Sequence, residues 1–187
     1  MKTWMACTLV AITLVLSSPA CAQSPVLEVP QLVLNSVVLQ MGAFSDSGIY
    51  YPPSGAPSNG TDWRWAITGA RFNLTAGAMS FTATVSSRVA GQDKADTRTV
   101  PVSVGFDATS ARVRLSLGAF MAPIQTAGVT ITQVNVAKLY GISLPIEAQT
   151  LTLPLPGGGT RTVTAKPVAV TSQVLPGRLV LTVQVSF

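Results

Sequence analysis

Apolar and polar residues alternate along most of the second half of the chain, and this period of two predicts half-buried β-strands. In residues 78–90 the apolar positions fall on one side, and Ser, Thr and Arg fall on the other. The same alternation returns in residues 100–106, 112–117 and 179–187, with apolar positions at Val100, Val102, Val104, Phe106, Val113, Leu115, Leu117, Leu179, Leu181, Val183, Val185 and Phe187. Thr facing water beside Val facing the core is typical of an antiparallel sheet.

Turn-forming residues separate these segments and predict how the strands connect. Residues 91–96 form a charged loop between two long strands, residues 107–110 a tight hairpin, and Pro156–Gly159 and Pro176–Gly177 two further turns. Strands joined in sequence by short turns make a meander, and strands of this length suit a curved sheet better than a small flat sandwich. We therefore predict an all-β fold, a long-stranded and strongly curved antiparallel meander sheet that forms a half-barrel or a barrel.

Two segments depart from the strand pattern. Within residues 31–42, Leu34, Val37, Val38 and Met41 have the i, i+3, i+4, i+7 spacing of a short helix, although two strand phases separated by a bulge fit the same residues. Residues 45–62 are rich in Pro, Gly and Ser, and they form the only long irregular segment of the sequence. Long loops inside compact domains are often functional or disordered, so we predict a flexible loop there.

The N-terminus has the features of a cleaved secretory signal peptide at residues 1–22. Lys2 precedes an apolar run of about 13 residues, which is too short to span a bilayer, and Ala20-Cys21-Ala22 is an A-x-A cleavage site. A membrane anchor and lipoprotein processing at Cys21 are the alternatives. Cleavage after Ala22 leaves 165 of 187 residues, a size that fits a single β domain over residues 23–187.

The composition of the mature chain excludes several kinds of chemistry. The sequence has no histidine, and both cysteines, Cys7 and Cys21, leave with the signal peptide, so histidine-based catalysis, thiol chemistry and disulfides are unavailable. Eleven Lys and Arg remain against seven acids, a net charge of +4, and they form no stripe for nucleic acid. Asp93 and Asp96 lack the other oxygen ligands that calcium needs. We therefore predict a non-enzymatic protein with no metal site, no cofactor and no nucleic-acid partner.

An aromatic group flanks the Pro/Gly-rich segment and is a candidate ligand-binding site. It consists of Tyr50, Tyr51, Trp63 and Trp65. Aromatic side chains beside a polar loop can grip a ligand, a protein partner or a membrane interface. The alternative is structural: Trp65 and Ile67 belong to a strand in the core, and the tyrosines pack at the base of the loop.

The last nine residues, 179–187, resemble the closing strand of bacterial outer-membrane barrels. Those strands end on Phe and carry apolar residues at every second position before it, as this chain does up to Phe187. The mature length also suits a small eight-stranded barrel. This resemblance implies a small outer-membrane β-barrel as one alternative.

The segments Phe72–Val89, Val100–Phe106 and Arg112–Phe120, with the pieces from Asn135 onward, resemble the half-barrels of the tubular lipid-binding superfamily. The resemblance implies long curved strands with an apolar concave face that takes up lipid. That superfamily packs a long helix into its sheet, whereas here only residues 31–42 could form one. The resemblance assigns no individual binding residue in this chain.

The side-chain period itself predicts which residues form such a concave surface. Six side chains should line one continuous apolar face: Phe81, Val85, Val102, Phe106, Val113 and Leu117. An apolar face of this extent is covered by a ligand, a partner or a second sheet, because burial of apolar surface is favourable by about 25 cal/mol per Å².

The sequence thus predicts an exported, non-catalytic β protein of the periplasm or cell exterior that binds a hydrophobic or lipid-like ligand or an envelope protein partner. A small outer-membrane barrel and a β-sandwich interaction or fibre subunit are the alternatives. The environment of Val85, Val102 and Leu115 distinguishes them, because these side chains would line a ligand cavity, form an outward membrane belt or fill a closed core.

Overall fold

The computed structural model describes residues 24–52, 60–154 and 157–187, so the predicted signal peptide lies outside the described residues. In chain order the elements are β1 (Val26–Pro30), α1 (Gln31–Met41), β2 (Ser45–Tyr50), β3 (Thr61–Thr75), β4 (Ala78–Val89), β5 (Gln92–Asp107), β6 (Arg112–Leu117), β7 (Met121–Thr126), β8 (Val129–Asn135), α2 (Val136–Leu139), β9 (Ile142–Pro145), β10 (Gln149–Pro154), β11 (Thr160–Leu175) and β12 (Arg178–Ser186).

Within the described residues the strands form three antiparallel sheets, and the two larger ones are strongly curved half-barrels. The six-stranded sheet has the order β2-β3-β4-β5-β6-β9, and the four-stranded sheet has the order β1-β12-β11-β10. Strands β7 and β8 pair as a separate hairpin. The all-β prediction is confirmed, as is the meander, because β2 to β6 are neighbours both in sequence and in the sheet.

One hydrophobic core joins these sheets. The six-stranded sheet contributes side chains such as Phe72, Phe81 and Val113, and β12 contributes Leu179 and Leu181, all of them fully buried. Helix α1 adds Leu34 and Val38, and the β7–β8 hairpin adds Ala122, Ile124 and Val134. We call the side of the six-stranded sheet that carries Phe81 and Val113 its inner face, and the opposite side its outer face.

The helical interpretation of residues 31–42 is confirmed and the strand interpretation is wrong, because α1 occupies Gln31–Met41. Leu34 and Val38, one turn apart, are buried as the spacing requires. The helix also completes the edge of β3 beyond the part that pairs with β2. The Asn35 side chain accepts a hydrogen bond from Phe72 N–H at 2.7 Å and donates one to Phe72 C=O at 3.2 Å, and Gln31 accepts one from Leu74 N–H at 2.8 Å.

A β-bulge keeps the apolar side chains of β3 on one face. Ile67 and Phe72 are five residues apart, yet both are buried, although residues an odd number apart in a regular strand face opposite sides. Gly69 and Ala70 together oppose one residue of β4, and Gly69 has a φ of 62°, which glycine adopts without steric cost. The extra residue restores the phase and adds local twist to the sheet.

Two predicted loops are shorter than the sequence suggested. Of residues 45–62, Ser45–Tyr50 form β2 and Thr61 begins β3, whereas residues 53–59 lie outside the described residues. The predicted loop 91–96 is mostly strand, because the β4–β5 connection is a tight turn at Ala90 and Gly91, with φ of 49° and 78°. Positive φ at both central residues matches the right-handed twist of a hairpin, so strand pairing continues to the turn.

Two of the other predicted turns lie within one residue of their predicted positions. Residues Ala108–Ala111 connect β5 to β6, with the Asp107 side chain accepting from Thr109 N–H and Ser110 N–H at 3.1 and 3.3 Å. Pro176 and Gly177 connect β11 to β12. In the predicted turn Pro156–Gly159, Pro156 lies outside the described residues.

Candidate functional site

Strand pairing separates the four candidate aromatic residues between the two faces of the sheet. Trp63 and Trp65 are two apart in β3, so they share a face with Ile67, which belongs to the inner face. Tyr50 pairs with Thr61 and lies on the same inner face. Tyr51, the next residue, is 65% exposed, and its ring lies with Ile49 on the opposite side, because a Cβ added at Gly60 would contact both side chains. The structure therefore brings together Tyr50, Trp63 and Trp65, which we call the tryptophan patch, and separates Tyr51 from them.

Trp63 lies across β2 because Gly48 leaves room for its ring. A Cβ atom at Gly48 would stand 2.9 Å from Cζ2 of Trp63, closer than such atoms approach in proteins. On its other side, Trp63 pairs with Val89, which is buried, and Trp65 pairs with Ser87. Both indoles pack against the hydrophobic core and stay partly exposed. The inner face thus continues past the core as a partly exposed aromatic surface, with Asp46, Ser87 and Lys94 beside Trp65 on the same face.

The six residues predicted to line a concave surface do share the inner face. Val102 pairs with Leu117 and Phe106 pairs with Val113, and cross-strand partners project to the same side. Their environments differ, however. Phe81, Val85 and Val113 are at most 2% exposed, whereas Val102, Phe106 and Leu117 are partly exposed. The chain itself fills the centre of this face, and the margins of the face stay accessible.

The covering of this face comes from chain segments outside the meander. Tyr140, which follows α2, is 1% exposed, and its ring centroid lies 5.2 Å from that of Phe81 and 5.1 Å from that of Phe44. Burial raises the pKa of Tyr140 above its ordinary value. Phe120, just before β7, is fully buried as well. Val85 and Leu115, at 2% and 1% exposure, therefore point into the protein and not into an outward apolar belt.

An ion pair that the sequence analysis missed lies on the inner face between the buried core and the tryptophan patch. Asp96 pairs with Val85 across the sheet, and Arg98 pairs with Ala83, so both belong to the inner face. The Arg98 guanidinium binds the Asp96 carboxylate through two hydrogen bonds of 3.0 and 2.7 Å and lies 5.5 Å from the Phe120 ring centroid. The hydrogen bond and the charge of Asp96 raise the pKa of Arg98.

The alternation of β5 contained the signal for this ion pair. Counting back in twos from Val102 and Val100 reaches Arg98 and then Asp96, and the predicted charged loop of residues 91–96 had placed Asp96 outside the strand. The same parity places Asp93, three residues before Asp96, on the outer face, where it binds Arg88 at 2.7 Å. Asp93 and Asp96 therefore face opposite sides of the sheet, each with its own arginine.

No group of three or more Asp, Glu, His or Cys residues that could hold a metal ion occurs within the described residues, 24–52, 60–154 and 157–187. Neither of the two helices in these ranges is both long and apolar enough to span a bilayer. Comparisons with protein-family models, with curated proteins and with solved structures find no match to this chain.

Proposed function

We propose that the chain is an exported, non-catalytic β protein of the cell envelope, and that it binds a hydrophobic or lipid-like ligand on the inner face of its six-stranded sheet. The observation that carries this proposal is the half-open tryptophan patch. It extends the inner face beyond the filled core with two indoles that pack on the core and stay partly exposed. Covering partly exposed aromatic surface of this kind with an apolar chain is favourable, because it removes apolar area from water.

The curved half-barrel is what supports the likeness to the tubular lipid-binding superfamily. Helix α1 packs against the same sheet, near β3, but it has only 11 residues. A ligand would therefore lie along the margin of the inner face, because Phe81 and Val113 at its centre are already covered. The bound chain would contact Trp63 and Trp65 first and extend towards Tyr50.

Tryptophan fluorescence tests this proposal directly. The sequence has three tryptophans, and removal of Trp4 with the signal peptide leaves Trp63 and Trp65 as the only emitters. Titration with cis-parinaric acid, a fluorescent fatty acid, should quench them by energy transfer. Trp65→Ala should weaken binding by at least about tenfold, since full burial of one large apolar side chain contributes about 1.5–3 kcal/mol and Trp65 is already partly buried.

Tyr51→Ala is the matched control, because Tyr51 lies in the same region of the sheet but on the opposite face. It should leave the affinity for the fatty acid unchanged. Native mass spectrometry of protein purified without detergent should show a co-purified lipid. Absence of any such lipid together with no binding of cis-parinaric acid would refute the lipid-binding proposal.

A second function, an interaction or fibre subunit of the cell surface, is favoured by the filled centre of the inner face. Phe81, Val85 and Val113 are buried by other parts of the chain, as in a closed β-domain core. In that case the tryptophan patch would contact an envelope protein. Chemical crosslinking in intact cells, with a photoreactive residue at Trp65, would identify such a protein.

A further inference from the structure

An open groove of about 800 Å³ lies mainly along the outer face of the six-stranded sheet, where β2, β3, β4 and β5 run side by side. Small polar side chains form much of its floor, among them Ser45, Ser47 and Ser86. Two arginines line the groove side by side, because Arg64 of β3 and Arg88 of β4 are cross-strand partners. The groove therefore combines hydroxyl donors with two guanidinium groups.

The lining of this groove carries three positive side chains, Arg64, Arg88 and Lys94, and two carboxylates, Asp46 and Asp93. Strand pairing puts Asp46 and Lys94 on the inner face, so the charges on the outer face are Arg64, Arg88 and Asp93. Arg64 and Arg88 are direct cross-strand partners, and like charges in that position repel each other. Arg88 is neutralised by Asp93, with N–O distance of 2.7 Å. Arg64 is exposed and makes no hydrogen bond or ion pair with any other described residue, including Asp62 on the same face. The sheet thus holds one guanidinium group without a counter-ion beside a second one.

We propose that this groove binds a phosphate group, either free in solution or on a lipid headgroup. A guanidinium group presents paired N–H donors that match two oxygens of one phosphate, and serine hydroxyls can donate to the remaining oxygens. A bound dianion would supply the counter-ion that Arg64 lacks and would offset the repulsion that Asp93 leaves between Arg64 and Arg88. Serine and alanine at the floor leave the space that a tetrahedral anion needs, and larger side chains would fill it.

The proposed phosphate site does not depend on the lipid-binding proposal. Residues 63–66 of β3 alternate between the faces, so Arg64 points outward between the inward-facing Trp63 and Trp65. The two sites therefore use opposite faces of the same strands. Either one can be absent while the other binds its ligand.

Titration with inorganic phosphate, followed by NMR of backbone amides and arginine Nε–H groups at constant ionic strength, tests the proposal. Arg64→Gln should weaken phosphate binding about tenfold, the size expected when one charge-assisted hydrogen-bonding group is lost. Arg71→Gln is the matched control, because Arg71 lies on the outer face of the same strand, pairs with Thr82 and does not line the groove. It removes the same charge and should leave the affinity unchanged.

Asp93→Asn provides a test with the opposite sign. It frees Arg88 and removes a negative charge from the groove, so phosphate should bind several-fold more tightly. Vesicles of phosphatidylcholine with and without phosphatidic acid distinguish the source: Arg64-dependent binding only to the anionic vesicles indicates a lipid headgroup, and binding to neither indicates a free phosphate. The proposal fails if wild-type protein does not bind millimolar phosphate, or if Arg71→Gln weakens binding as much as Arg64→Gln.

Discussion

The hydrogen bonds between Asn35 and Phe72 provide the sharpest test of how α1 stabilises the curved sheet. Phe72 is fully buried, so water does not reach its backbone N–H. Asn35→Ala removes both the acceptor at 2.7 Å and the donor at 3.2 Å. A buried donor left without a partner costs about 1–3 kcal/mol. We expect the free energy of unfolding to fall by about 2 kcal/mol, a large share of the 5–15 kcal/mol typical of a domain.

Urea unfolding followed by circular dichroism measures this loss. With a slope of about 2 kcal/mol per M, the midpoint should move by roughly 1 M. Ser36→Ala is the matched control, because it makes a similar gain in helix propensity and removes only an exposed bond to Leu32 C=O. Equal stability of the two variants would mean that the Asn35 side chain does not replace the missing strand neighbour of β3.

Three further predictions follow from single residues. Leu115, at 1% exposure, fills the core, so Leu115→Asp should abolish folding as seen by circular dichroism, whereas Ser116→Asp on the exposed face of β6 should fold. Gly48→Ala should displace the indole that lies over it and shift the tryptophan emission maximum, and an unchanged spectrum would contradict that contact. Hydrogen bonds from Ser110 lower the pKa of Asp107 below its ordinary 3.8. Stability from Asp107 is therefore present above pH 3.8 and lost as the pH falls through the lowered value, and Asp107→Asn should remove this part of acid unfolding.

The alternation of apolar and polar residues correctly predicted the strands that contribute one row of side chains to the hydrophobic core. In β4 every apolar residue assigned to one side, from Met79 to Val89, is buried. The same holds for the helical spacing of Leu34 and Val38. Each of these segments presents enough apolar surface for its own pattern to decide its conformation, so local sequence was sufficient.

The elements that the sequence did not predict depend on contacts between distant residues. Ser45–Tyr50 has little apolar alternation, and it is a strand because the edge of β3 offers pairing partners to it. Likewise, no local pattern indicates that Phe120 and Tyr140 cover the inner face near Phe81. Whether that face is a ligand surface or a core is decided by these remote segments.

The two proposed sites place opposite demands on one stretch of β3. Trp63 and Trp65 need their face partly uncovered, while Arg64 between them needs an open outer face, so a second layer on either side would abolish one site. Partly exposed indoles on one side of the sheet are unfavourable, because apolar area stays in contact with water. Neighbouring arginines on the other side are unfavourable as well, because like charges repel across the strands. An amphiphile with an apolar chain and a phosphate could not reach both faces through the sheet. If both proposals hold, the two ligands are separate, or one ligand passes around β2, the edge strand of the sheet, where the two faces meet.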